Sequence, residues 1–277
     1  MRDMRKDPRL DFGRAQARRF LSDLTSRQPP IRPELDRELE ERFQQTVARR
    51  FPDDPVVGEE LPPLGEWVGS GWLIDPIDGT SNLRQGLPWY GTSLAYFEEG
   101  RPVLGWVCDP ARGEIYEAIA GHGATVEGMP IHLAELPSSA LVAVARRWRR
   151  SHPGWRNHLP AGIKDRLLGA TALELAWVAR GILGAGAWAH TRVFDIAAGW
   201  LLVREAGATI YSSYGRGGDS SWAPLQTGDP IGVRFDLVAG HPAQDLARLA
   251  VNQVEALASQ RHLELPRGLQ VHDAHVV

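Results

Sequence analysis

Three acidic clusters carry the residues best suited to chemistry in this chain of 277 residues. Asp75 and Asp78, with Pro76 and Ile77 between them, follow the apolar run Trp72-Leu73-Ile74 and precede Gly79-Thr80-Ser81-Asn82. Gly58-Glu59-Glu60 ends a second short apolar run, and Asp195 enters a stretch, Phe194 to Gly199, of otherwise apolar and small residues. Taken alone, Asp-Gly is a common turn signal, and acids three apart could cap a helix. Three acidic clusters at element ends can instead converge. Burying several carboxylates together without cations raises their pKa values and destabilises the fold, so the constellation implies Mg²⁺ or another hard divalent ion. The chain offers no Cys/His spacing for structural zinc. Gly79-Thr80-Ser81 is expected to open a helix whose free N–H groups and hydroxyls can receive an anion beside the metals, phosphate being the natural one. Two ions in such a site polarise a phosphoryl oxygen, generate a hydroxide nucleophile and neutralise the leaving alkoxide.

The elements that must hold these groups are legible in outline. Phe12 to Leu24 has a helical pattern, and the Pro-rich break from Gln28 to Pro33 separates it from a second helix in which Leu35, Leu39, Phe43 and Val47 form one apolar stripe. Asp36 lies one residue off that stripe near the helix start, where an acid is ordinarily a cap or a partner for the helix dipole. Strand signals follow at Pro55–Gly58, Trp72–Ile74, Thr92–Phe97, Pro102–Val107 and Gly113–Ala118, which predict a meandering antiparallel sheet. From Leu141 to Ala145 onward, short apolar strands alternate with helical patterns at Thr171–Gly181, Ile196–Ala206 and Pro242–Ser259. The expected organisation is an N-terminal α+β domain over residues 1–136, a C-terminal α/β domain over 137–262 contributing Asp195, and a tail over 263–277.

Composition narrows the partners. The 31 basic and 34 acidic side chains leave a net charge of −3, so no global field favours nucleic acid or an anionic membrane, and an anionic ligand needs a local site. The single cysteine, Cys108, cannot form an internal disulfide and reads as a buried small residue. No run approaches the ~18 apolar residues of a spanning helix, so a cytoplasmic protein is expected.

The three clusters, together with Arg204-Glu205-Ala206-Gly207-Ala208, resemble the inositol monophosphatase family, in order over roughly residues 10 to 255. The resemblance implies a layered αβαβα sandwich, two to three Mg²⁺ ions, sensitivity to Li⁺, hydrolysis of a small phosphate monoester and a homodimer. Carried over residue by residue, it makes Glu59, Asp75, the Ile77 carbonyl and Asp78 ligands of the first metal sites. Asp75, Asp78 and Asp195 would bind a second ion, and Glu60 would support them from behind or through a water. Thr80 resembles the threonine that, paired with an aspartate on the second helix, orients and deprotonates the attacking water. Asp36 stands at the right distance before Glu59 to be that aspartate. Asp36, Thr80 and Glu59 thus form the implied catalytic set, with Gly79, Thr80 and Ser81 around the phosphate.

The chain departs from the family pattern in places. A lysine-bearing hairpin and a Thr-x-x-Asp motif usually precede the second helix, whereas here Thr25 to Leu35 is short and proline-rich, which alters the lid. Family members acting on inositol phosphates usually place a glutamate seven residues before the Asp195 position, and Trp188 stands there. An indole cannot replace a carboxylate that anchors a polyol, though it could stack on a sugar face or nucleobase, or pack in the domain interface. This argues against myo-inositol phosphate itself.

The arginines among Arg146, Arg147, Arg149 and Arg150 are a solvated face or a site for a second phosphate. Gly169-Ala170-Thr171 resembles the turn that borders the substrate, with Thr171 placed to bond a hydroxyl. Arg192 and His190 are candidates to line the pocket, although a lone histidine in a loop is more often structural or solvated. The expected activity is hydrolysis of a sugar or polyol phosphate, with a nucleotide 3'-phosphate or a sugar bisphosphate next. A rival from another class is a regulatory, RNA-associated protein that retains the fold, although the acidic balance gives no general footprint for nucleic acid.

Overall fold

The computed structural model describes residues 3–26, 32, 34–131, 141–151, 154–158, 162–214, 217–219 and 234–240. After a single 3-10 turn over Met4–Lys6, α1 (Pro8–Thr25) starts where Asp7 accepts a hydrogen bond from the Arg9 N–H at 2.8 Å and Pro8 takes the first helical position. In α2 (Leu35–Arg50) the stripe Leu35, Leu39, Phe43 and Val47 is buried as its period requires. Both helices pack on one face of a seven-stranded sheet, in order β1 (Val56–Gly58), β2 (Gly71–Asp78), β3 (Gly91–Glu98), β4 (Arg101–Asp109), β5 (Glu114–Ile119), β6 (Ala124–Val126) and β7 (Met129–Pro130). From β2 to β7 the sheet is the expected antiparallel meander, but β1 lies parallel to β2. A parallel pair needs a crossover rather than a tight turn, and that crossover carries Glu59 and Glu60.

The second sheet is mixed. Its strands are β8 (Leu141–Val144), β9 (Lys164–Arg166), β10 (Leu183–Arg192), β11 (Thr209–Tyr214), β12 (Gly217–Asp219) and β13 (Arg234–Gly240), in the order β12-β11-β13-β10-β8-β9. β8 runs parallel to β9 and β10, while β13 is antiparallel to β10 and β11. Between the sheets lie α5 (Thr171–Ala179) and α6 (Val193–Glu205), each touching both. Small residues permit this close stacking: a Cβ on Gly199 would fall 2.6 Å from Leu175, and one on Gly105 would fall 3.1 Å from Ala198. On the far face of the second sheet, α4 (Arg146–Ser151) inserts Trp148 among Val142, Val144, Ala185 and Ala187. The layers therefore run α1/α2, sheet, α5/α6, sheet, α4, which is the expected αβαβα sandwich.

The central apolar cluster joins Val57, Leu73 and Phe97 of the first sheet to Leu175, Trp188 and Leu237 of the second half. The expected boundary near residue 136, the helical pattern at 242–259 and the tail at 263–277 lie outside the described residues. Cys108 is fully buried, its thiol pushed up by burial and donating to the Ala17 carbonyl at 3.3 Å.

The contact of α1 with the first sheet depends on Gly13, whose missing Cβ would meet the Trp106 ring at 2.1 Å. Gly13→Ala is expected to cost about 1–3 kcal/mol through overpacking. Urea unfolding should show a lower midpoint with an unchanged slope. An unchanged midpoint would contradict the flush packing.

Candidate active site

The corner at the end of β2 is a bulge rather than a simple turn. Asp75 pairs with Ser93 and Asp78 with Gly91, so β2 spends one residue more than β3 over this step. Pro76, which has no N–H to give, is tolerated there. Ile77 N–H donates to Asp75 Oδ1 at 3.0 Å, and Thr92 Oγ1 donates to the Pro76 carbonyl at 2.8 Å, so both sides of the bulge are tied. Gly79 follows with φ +91°, and a Cβ there would lie 3.0 Å from Ala170 and 3.1 Å from the Trp89 carbonyl. Only glycine fits a left-handed residue so closely covered. α3 (Thr80–Arg84) begins at once, as expected.

Asp195 occupies the third position of α6, where Oδ2 accepts from the Arg192 N–H at 3.1 Å and the helix dipole favours its charge. The strand-to-helix junction is fixed from the first sheet, since Ser93 Oγ donates to the Phe194 carbonyl at 2.7 Å. Glu59 comes from the β1–β2 crossover, which is held from below by Glu40 of α2. The Glu40 carboxylate accepts from Glu60 N–H (2.8 Å) and Leu61 N–H (3.1 Å), and a Cβ on Gly58 would fall 2.3 Å from it.

These three elements bring carboxylate oxygens of Glu59, Asp75 and Asp195 within 4.8 Å of one another. Asp75 is pushed well above the ordinary carboxylate range, first by burial and then by Asp78, Asp195, Asp36 and Glu59. Asp78 is raised in the same way by burial and Asp195, although the Ala172 N–H bonded to its Oδ2 pulls it down. Mutually repelling oxygen donors that grade from buried Asp75 through half-buried Asp78 and Asp195 to exposed Glu59 fit a hard divalent cation, which relieves the repulsion and the desolvation of Asp75. Arg192 meets part of the charge, its Nη1 donating to Glu59 Oε1 at 2.9 Å.

Beside this cluster Thr80 Oγ1 lies 3.1 Å from Asp36 Oδ2 and 2.9 Å from the Ile77 carbonyl, so its single proton has two acceptors. Asp36 is not the cap of α2, a position held by Glu34. The Asp36 carboxyl is pushed up to about 7 by burial, with the Thr80 bond opposing and Glu60, Glu59 and Glu40 adding to the rise. Its Oδ1 is buried with no hydrogen-bond partner. A buried acid on a hydroxyl next to a charged cluster can accept a proton.

Other expectations fare differently. Gly169 (φ +86°), Ala170 and Thr171 lead into α5, and their turn lies against the phosphate corner: Asn82 Nδ2 donates to the Leu168 carbonyl at 2.8 Å, and Ala170 abuts Gly79. Ser81 and Glu60 are exposed. Trp188 requires correction as a substrate-stacking residue. Its ring is 0 % exposed in the central cluster, so no face is offered to a ligand, and its indole N–H donates to Glu174. Arg192 is engaged with Glu59, and His190 (φ +57°) is exposed at the irregularity in β10. Of the arginines on α4, Arg149 serves the fold, bonding the Val144 carbonyl and Asp165, while Arg146, Arg147 and Arg150 are exposed.

Sequence reasoning missed Glu40, Ser93, Asn82 and Glu174 as supports. A signal existed for Glu40: it stands four residues after Asp36, so both acids share one side of α2 beside the apolar stripe.

The layered sandwich and its acidic corner define a phosphoric monoester hydrolase with a candidate cation site. The chain belongs to the inositol monophosphatase family, whose pattern matches residues 14–255. It is 32% identical to the histidinol-phosphatase of Mycobacterium tuberculosis, covering 72% of this chain and 81% of that one. It is 30% identical to the fructose-1,6-bisphosphatase/inositol-1-monophosphatase of Aquifex aeolicus over 76% of each chain, and 32% identical to the Nus factor SuhB of Pasteurella multocida over 64% of this chain and 69% of that one. Among solved structures, the inositol monophosphatase from Anabaena matches with a TM-score of 0.72 at 26% identity, covering 88% of this chain and 95% of that one.

Burial that raises an acid's pKa makes the native state bind more protons than the unfolded chain between the two values. For Asp36 that window runs from 3.8 to about 7, and Asp75 and Asp78 shift in the same direction. Their contribution is therefore greatest at low pH and falls as pH rises through the window. In EDTA the thermal midpoint is expected to fall between about pH 4 and about pH 7, less steeply in Asp36→Asn, and Mg²⁺ should restore more at the upper end. A fall of the same steepness in Asp36→Asn would contradict the placement of this acid.

Proposed function

We propose that this protein is a Mg²⁺-dependent phosphatase that hydrolyses a small sugar or polyol phosphate by direct attack of water, with no phosphoenzyme. The observation that carries this reading is the Thr80–Asp36 pair, 3.1 Å apart, set against the cluster of Glu59, Asp75 and Asp195. Glu59, Asp75, Asp78, Asp195 and the Ile77 carbonyl are the groups that would hold two to three Mg²⁺ ions. When bound, the ions supply Lewis acidity at the phosphoryl oxygens and make a water acidic enough to attack near neutral pH.

The chain's own residues do the rest. Asp36 accepts the proton of the Thr80 hydroxyl, and that hydroxyl in turn orients the attacking water and takes up its proton. Gly79 and Thr80 present backbone N–H groups to the phosphoryl oxygens at the start of α3. The Gly169–Thr171 turn borders the leaving group, where Thr171 can bond a substrate hydroxyl. Burial of Trp188 leaves that position without a polar anchor, which disfavours myo-inositol phosphate. In this reading the enzyme works in the cytoplasm as a homodimer and is sensitive to Li⁺.

The rival reading, a regulatory, RNA-associated protein that retains the fold, has the support of relatives named Nus factor SuhB, of which the one from Xylella fastidiosa is 35% identical over 64% of this chain and 67% of that one. RNA filter binding beside phosphate release separates the two readings.

The direct test is a Mg²⁺-dependent phosphate-release screen over hexose, pentose and inositol phosphates, fructose bisphosphate, 3'-phosphonucleotides and histidinol phosphate. Asp36→Asn should lower kcat by about 10²–10⁴-fold with little change in KM. Asp75→Asn/Asp78→Asn should abolish release. Release that survives unchanged in the double variant would overturn the reading.

A further inference from the structure

Glu174 is a buried carboxylate, 3 % exposed, that the chemistry above leaves unused. It stands in the first turn of α5 and every group recorded at its oxygens is a donor. Gly169 N–H bonds Oε1 at 2.8 Å, the indole N–H of Trp188 bonds Oε2, and the N–H groups of Leu168 and Ala170 face it as well. Burial pushes this carboxyl above the ordinary carboxylate range, and the Trp188, Gly169, Ala170 and Leu168 donors pull against that rise, so the ring of donors fixes where its two oxygens point.

Trp188 is brought to this acid by a specific accommodation in β10. Two residues earlier on the same face stands Gly186, where a Cβ would come 2.1 Å from the indole ring. The ring therefore lies along the strand, and its N–H reaches across to α5. The turn that Glu174 grips meets the acidic corner on its other side. Leu168 gives its carbonyl to Asn82 Nδ2, Ala170 abuts Gly79, and Ala172 N–H donates to Asp78 Oδ2. A continuous set of contacts thus runs from Trp188 through Glu174 and the turn to Asp78.

From this geometry we infer that Trp188 and Glu174 form a positioning pair for the cation site: they lock the 168–172 turn and, through Ala172, fix the orientation of Asp78. The inference rests on the proposed function in taking Asp78 as a cation ligand. It also gives the departure at position 188 a role. The indole recognises a carboxylate of the protein rather than a substrate. Partners that orient metal ligands typically set roughly 10–100-fold of affinity.

The test is calorimetric titration of Mg²⁺ into the metal-free protein without substrate, using Trp188→Phe, which keeps the ring plane and removes the donor, and Glu174→Gln, which keeps the shape and removes the charge. Each should weaken Mg²⁺ binding about tenfold, a typical share of such support. The double variant should be no weaker than Glu174→Gln alone, because the two residues act as one unit. Trp67→Phe, which truncates a buried indole whose N–H has no hydrogen-bond partner, should bind Mg²⁺ like the parent. Thermal midpoints in EDTA check that each variant is folded, and Trp188→Phe decides the matter if Glu174→Gln does not fold. Parent-like Mg²⁺ affinity in Trp188→Phe, or losses that multiply in the double variant, would overturn the pair. A parent protein that binds no Mg²⁺ would overturn the functional reading itself.

Discussion

Mutual repulsion among carboxylates gathered around the buried Asp75 is the constraint on which the rest of this structure depends. Asp75 feels Asp78, Asp195, Asp36 and Glu59 at once, in surroundings that have removed most of its water. A chain free to relax would splay such groups apart or protonate them. Here they cannot separate, because each is fixed by elements whose positions are set elsewhere. Asp75 and Asp78 are tied into a bulge, Asp195 into the first turn of α6, and Asp36 into α2 by an apolar stripe one residue away. In the proposed reading a divalent cation relieves that charge. A fold that is costly without its ion is one that binds the ion well.

The five layers convert that constraint into geometry. The first sheet carries the bulge and, through Ser93, holds the start of α6. α6 is buried between two sheets, so its N-terminus is as rigid as the core around it, and Asp195 inherits that rigidity. From the outer layer, α2 supplies Asp36 to the threonine and Glu40 to the backbone of the Glu59 turn. Three layers thus meet at one corner, and none of the carboxylates depends on a free loop alone. The Thr80 hydroxyl is shared between Asp36 and the Ile77 carbonyl, so its proton sits where either acceptor can hold it.

Much of this was legible in the sequence, for identifiable reasons. The stripe Leu35, Leu39, Phe43 and Val47 announced α2 through its period, and the acids stood out where Glu59 and Asp75 follow apolar runs and where Asp195 enters a helix of apolar and small residues. Those signals are local. What could not be read were contacts across long separations in the chain. Glu40 under Gly58, Ser93 against Phe194 and Glu174 against Trp188 each join segments that only the packed layers bring together. Trp188 shows the difference most clearly. Its departure from the family pattern was visible, but whether the indole faced a pocket or the core depended on the strand face that Gly186 leaves open. The parallel pairing of β1 was hidden similarly, since three residues are too short to reveal direction.

The central claim, that these acids are gathered to hold a divalent cation, is tested most directly by anomalous diffraction from crystals soaked in Mn²⁺. Strong peaks bounded by Glu59, Asp75 and Asp195, with at least one reaching Asp78, are the predicted result. Crystals that show Mn²⁺ elsewhere on the surface while that corner holds none would contradict it.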